Sequence, residues 1–111
     1  MEVVHTQALF LMESGMYGLI GSFIAALGKR AELVAILLGD IGVMPGCKSY
    51  VVAEDPSDAD TVWVTEVWLD AAAHKASLEL PAVKAAIAKA MPLIASFGEH
   101  KEVTVVGGHG L

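Results

Sequence analysis

Cysteine, basic side chains and long apolar runs are what this chain has least of. Cys47 is the single cysteine in 111 residues, which excludes an intramolecular disulfide and any cysteine-based zinc site. Seven Lys and Arg stand against 13 Asp and Glu, for a formal net charge of -6. No basic stripe is present, so nucleic acid is not an expected partner. No segment reaches the ~18 apolar residues of a membrane span, and the opening MEVVHTQALFLMESG has no basic residue ahead of its apolar patch, unlike a signal peptide. No membrane partner is expected, and the expected location is cytoplasmic. His5, His74, His100 and His109 are scattered without the i,i+4 spacing of a helical metal pair, so no metal site is expected.

What the chain does have is apolar surface. Hydrophobic residues make up 55% and charged residues 18%, more than one small core needs. A dimer interface and a ligand cavity are the two expected destinations of the excess. The regular pattern begins near Met16. Residues 1–15 read as an N-terminal extension (an added strand, a loose arm or an upstream start choice), 16–107 as one domain and 108–111 as a tail.

Asp60 to Pro81, DTVWVTEVWLDAAAHKASLELP, carries the densest set of reactive groups. Val62, Val64, Glu66 and Trp68 alternate with Thr61, Trp63, Thr65 and Val67, a strand with period two. Asp70 fits a helix N-cap, with a short helix over about Ala71–Leu78. His74 and Ser77 fall one turn apart on it. If they face back toward Glu66 and Trp68, a carboxylate, an indole, an imidazole and a hydroxyl share one junction.

Before this stretch, Tyr17–Ala25 reads as a strand whose Gly18 and Gly21 mark a bulge or a close approach. A helix follows from about Lys29, with Arg30, Leu33, Val34, Leu37, Leu38 and Ile41 on its apolar face, ended by Gly39 and Gly42. Met44-Pro45-Gly46 is a turn, Cys47–Glu54 a strand, and DPSDAD (55–60) a solvated acidic loop. After it, Pro81 suits the first position of a helix with Val83, Ala86, Ile87, Ala90, Met91 and Ile94 in one stripe. Pro92 breaks or kinks that helix, and Glu99–Val106 is the last strand. The order β-α-β-β-α-β predicts a ferredoxin-like α+β fold with a four-stranded antiparallel sheet. Both helices lie on one face, and a second copy is the simplest cover for the other.

The frame GKRAEL, PGC before a strand, TEVW closing the third strand and a proline thirteen residues beyond Trp68 resembles the antibiotic biosynthesis monooxygenase family, over roughly residues 16–107. The stretch DAAAHKASLELPAVKAAIAKAMPLIA is similar to a bacterial subgroup named as quinol monooxygenases. The resemblance implies a dimeric α+β barrel that oxidises quinol-like or polycyclic phenolic substrates with O2 and without a cofactor. Trp68 matches the family tryptophan. The asparagine that several oxygenating members use on the first strand has no counterpart, because this chain has no asparagine; Gly21 or Ser22 occupies that region. Where many quinol-type members have a histidine, nine residues after the tryptophan, this chain has Ser77. The ligating histidine of haem-degrading relatives is absent around Val83–Ile87, which argues against haem degradation.

Oxidation of a phenol by O2 needs a base near neutral pH, donors for a developing oxyanion and a dry pocket. His74 suits the base, with Glu66 orienting its ring; both are expected catalytic residues. Trp68, Ser77, Ser22 and Tyr50 are the expected substrate-binding residues, Ser77 as a donor and Trp68 as a flat wall. The expected partners are a small aromatic substrate, O2 and a second copy of the chain docked through the sheet face, with no cofactor. Plainer readings stand beside these: His74 as a surface histidine, Glu66 paired with Lys75, Cys47 as a small buried hydrophobe, Trp63 as packing on the opposite sheet face, and His100 and His109 as exposed. The rival function is a non-catalytic ligand-binding or stress-associated module of the same fold. A pure dimerisation domain is a third, and would have the space near Trp68 filled.

Overall fold

The computed structural model describes residues 15–39 and 44–111; the N-terminal extension other than Gly15, and the Ile41 and Gly42 positions of the first helix, lie outside them. Among the described residues the order is β1 (Met16–Ala25), α1 (Arg30–Leu37), β2 (Cys47–Glu54), β3 (Thr61–Trp68), α2 (Ala71–Ser77), α3 (Pro81–Ala90), a 3-10 turn (Met91–Leu93) and β4 (Ile94–Val105). The antiparallel sheet runs β2-β3-β1-β4, the ferredoxin-like arrangement expected from the element order.

The period-two pattern of β3 sorts its side chains. Val62 and Val64 enter the core with Ala25, Leu33 and Ala90, and Trp68 is 1% exposed. On the neighbouring strands Phe23 pairs with Val62, Leu19 and Tyr50 with Glu66, and Tyr17 with Trp68. This set faces the helices. Ser22 pairs with Trp63, and Ile20 and Val51 with Thr65, so these belong to the open face.

Arg30, at the start of α1, ties that helix to the β2–β3 turn. Its Nη1 donates to the carbonyls of Asp55 (3.1 Å) and Asp58 (2.7 Å), and its Nε lies 3.3 Å from Glu54 Oε2. The acidic loop is therefore organised around a guanidinium rather than merely solvated. Leu38, expected on the apolar face of α1, is 62% exposed because the helix ends at Leu37.

The turn before β2 closes through Cys47 N–H to Met44 O (3.1 Å) with Gly46 at φ 83°, where an L side chain is strained. A Cβ on Gly46 would also sit 2.7 Å from Ala73 Cβ, so this glycine lets α2 approach. Gly18 has the expected close approach: Val103 and Val105 each reach within 2.7 Å of where its Cβ would be. A register shift follows Gly21 on the β4 side.

β4 begins at Ile94, five residues before the expected Glu99. Pro92 ends α3 as expected, but Ile94 then starts a strand rather than continuing the helix stripe. Ile94, Ser96 and Phe97 pair with Ala25, Ile24 and Phe23 across the register shift. The edge-on contact of Phe23 with Phe97 (ring centroids 5.6 Å apart) marks this extension.

Candidate functional site

Asp70 caps α2 as the sequence suggests: its carboxylate accepts from Ala73 N–H at 2.7 Å. Because the cap lies two residues beyond Trp68, α2 turns back over the end of β3. His74 then packs its ring against Trp68 (centroids 5.4 Å, 68° between planes) and Tyr17 (5.7 Å, 33°). Pro81 occupies the first turn of α3, which returns over the sheet and closes the other side.

Between these elements lies a cavity of about 230 Å3. Its sheet side is formed by Phe23, Tyr50, Val64, Glu66 and Trp68, and its helix side by Leu37, His74, Ser77, Val83, Ala86, Ile87 and Ala90, with Met44 and Leu78 completing the wall. Glu66, Trp68, His74 and Ser77 gather at the β3–α2 junction, while the Tyr50 hydroxyl lies at the otherwise apolar α1 end. Glu66, Trp68, His74, Ser77 and Tyr50 thus share one cavity. Ser22 does not: it is 4% exposed on the opposite sheet face, and its hydroxyl accepts from Glu99 N–H at 2.7 Å. The odd spacing from Phe23 puts it there.

The hydrogen bonds change the expected division of labour. Trp68 Nε1 donates to Glu66 Oε1 at 3.0 Å, so the recorded partner of this carboxylate is the indole rather than the imidazole. The Ser77 hydroxyl donates back to His74 O at 2.6 Å, the common i-3 bond of a helical serine, and turns lone pairs rather than a proton outward. The Tyr50 hydroxyl donates to Leu37 O at 3.2 Å. Burial first, then the Glu66 and Cys47 charges, push the Tyr50 phenol up to about 12. Burial likewise raises Tyr17, with Glu102 and then Glu66 adding to it. Among the described residues the His74 ring has no protein hydrogen-bond partner.

Cys47 is half-buried, its Sγ 3.6 Å from Ser49 O, and burial pushes its thiol up. That fits a small buried hydrophobe rather than a nucleophile. Among the described residues no three His, Cys, Asp or Glu side chains group so as to hold a metal ion, and no helix is long and apolar enough to cross a membrane. The apolar wall from α3 was visible as a hydrophobic stripe, but periodicity does not distinguish a core-filling residue from a cavity-lining one. Leu37 was legible only as part of the first helix's apolar face and Met44 only as part of a turn, and nothing in the sequence marked Phe23 as a cavity residue.

The four-stranded sheet with helices on one face, and a part-polar cavity between the layers, define a ferredoxin-like α+β domain with a small-molecule-sized site. The antibiotic biosynthesis monooxygenase family model matches residues 16–89, and the chain belongs to that family. A Chloroflexus aurantiacus J-10-fl protein, provisionally named an antibiotic biosynthesis monooxygenase, is 56% identical over 85% of this chain and 96% of its own, with a TM-score of 0.82. A similarly named Caulobacter crescentus CB15 protein is 23% identical over 95% of this chain and 99% of its own, with a TM-score of 0.70. A variant of SnoaB, a cofactor-independent oxygenase from Streptomyces nogalater, is 17% identical over 86% and 97%, also at 0.70. The last two likenesses concern the fold. None of the curated proteins matches.

Proposed function

We propose that this chain is a cofactor-independent monooxygenase or oxidase that uses O2 on a quinol-like phenol, with His74 as the base. The observation that carries this reading is the His74 imidazole, which makes no hydrogen bond to protein among the described residues and is set against Trp68 in a mostly apolar cavity. Proton transfer from the phenol to His74 leaves a phenolate, which can give one electron to O2. In the oxidase outcome quinol and O2 become quinone and hydrogen peroxide. In the monooxygenase outcome they become hydroxyquinone and water. Trp68 supplies the flat wall, with Tyr50 and Ser77 beside it.

Cavity size favours quinols over larger polycyclic phenols. A cavity of roughly 150 Å3 holds benzene, so about 230 Å3 suits one or two fused rings. The space near Trp68 is unlike that of a pure dimerisation domain, and titratable groups within it favour an enzyme over a passive binding module. The test is oxygen uptake with a panel of quinols. Uptake that survives chelation and falls about 10^2- to 10^4-fold in His74→Ala, with KM changing far less, supports the base. An unchanged rate moves the base elsewhere, and no uptake above the spontaneous rate favours the binding module.

The reading includes a homodimer through the open sheet face and a cytoplasmic setting, the latter in keeping with an unpaired thiol. Ile20 and Val51, 38% and 51% exposed, lie on that face with half-buried Trp63, Val67, Val103 and Val105. A second copy would remove this apolar surface from water. Native mass spectrometry at micromolar concentration should give the dimer mass; a monomer rejects the interface.

A further inference from the structure

Each donor that the walls of the cavity could turn toward a ligand is already used, except on His74. Trp68 N–H goes to Glu66, the Ser77 hydroxyl to His74 O and the Tyr50 hydroxyl to Leu37 O. What these described side chains leave open are lone pairs: the second carboxylate oxygen of Glu66 and the oxygens of Ser77 and Tyr50. No Lys or Arg lines the cavity, and Glu66 forms no ion pair among the described residues.

We infer that the cavity selects the redox state of its ligand, holding the quinol, a hydrogen-bond donor, and rejecting the quinone, which only accepts. The inference rests on the quinol reading above and narrows it. A quinol hydroxyl can donate to Glu66 Oε2 while the other faces His74. After oxidation both ring oxygens are carbonyls. His74 can still donate to one, but the other then meets a carboxylate across an apolar cavity with no proton between them. Two acceptors facing each other away from water lose their hydration and gain no bond. Product leaves, and does not compete with substrate. The Tyr50 phenol, raised by burial first and by the Glu66 charge second, agrees with a negative field here, which also disfavours acidic substrates such as carboxylated phenols.

The test compares 1,4-dihydroxynaphthalene with 1,4-naphthoquinone by anaerobic calorimetry, using wild type and Glu66→Gln. In the variant, the new amide can keep its oxygen on the Trp68 N–H and turn its NH2 donors into the cavity. The expected result is at least about tenfold tighter binding of the quinol by wild type, with that ratio collapsing or reversing in Glu66→Gln. Equal affinities in wild type, or a ratio that Glu66→Gln leaves unchanged, overturn the inference while the quinol reading stands. Failure of both ligands to bind wild type, together with no oxygen uptake, overturns both. Circular dichroism checks that the variant folds; should it not, the wild-type ratio alone decides.

Discussion

Trp63 and Trp68 stand five residues apart on one strand, and each indole donates to a carboxylate. Trp68 Nε1 reaches Glu66 at 3.0 Å and Trp63 Nε1 reaches Asp55 at 3.1 Å. The odd spacing sends the two rings to opposite faces of the sheet. On the helix side the pair borders a cavity where burial, and after it the charge of Glu66, raises the Tyr50 phenol. On the open side the pair braces a turn: Asp55 also accepts from the Ser57 N–H and hydroxyl, both at 2.9 Å. These bonds, the Ser57 backbone first and then Trp63, hold the Asp55 carboxyl below its ordinary 3.8. The same bond therefore serves a site on one face and a loop on the other, according to what packs over it.

Truncation should separate the two most sharply. Trp68→Ala, at a ring 1% exposed, should cost about 3–5 kcal/mol, whereas Trp63→Ala should cost about 1–2 kcal/mol. Denaturant unfolding of both variants at one protein concentration measures the difference, and equal losses would break the distinction between faces.

Tyr50→Phe is a smaller probe of the cavity side. Losing the bond to Leu37 O should cost about 0.5–1.5 kcal/mol at neutral pH. The folded phenol is raised from 10.0 to about 12, so the native state keeps a proton that the unfolded chain releases in that window. Its stabilisation is complete below pH 10 and is lost as pH rises toward 12. Alkaline unfolding curves should be flatter in the variant.

Asp55→Asn probes the open side and has the smallest expected effect. Because the folded carboxyl is depressed, its contribution is present above the unfolded value of 3.8 and is lost as pH falls through the lower folded value. Thermal midpoints of wild type should fall more steeply than those of the variant in that acid range. Parallel curves would mean that the turn bonds do not persist in solution.

Much of this frame was legible because its signals are local. The alternation in β3 put Glu66 and Trp68 on the same face, Asp70 and Pro81 marked the starts of two helices, and β2 begins and ends at the expected residues. Ser22 was harder to assign: its neighbours Gly21 and Phe23 point to the helices, and only the register against Trp63 fixes its side. The first residues of β4, IASFG, carry no clean alternation, and they become a strand because β1 offers them an edge beyond Pro92. Ser77 was legible as a cavity residue but not as one whose proton is spent on the carbonyl one turn earlier.

The sequence alone determined the element order, the faces of β3 and the placing of a carboxylate, an indole, an imidazole and a hydroxyl on the two elements that meet at one strand-to-helix junction. Period, capping and proline geometry act over a few residues, so they can be read along the chain. The tertiary structure decided that a cavity remains between those groups and α3, and that its donors are turned inward to the protein. Those outcomes depend on how β1, β2, β3 and three helices, distant in sequence, share volume and hydrogen bonds.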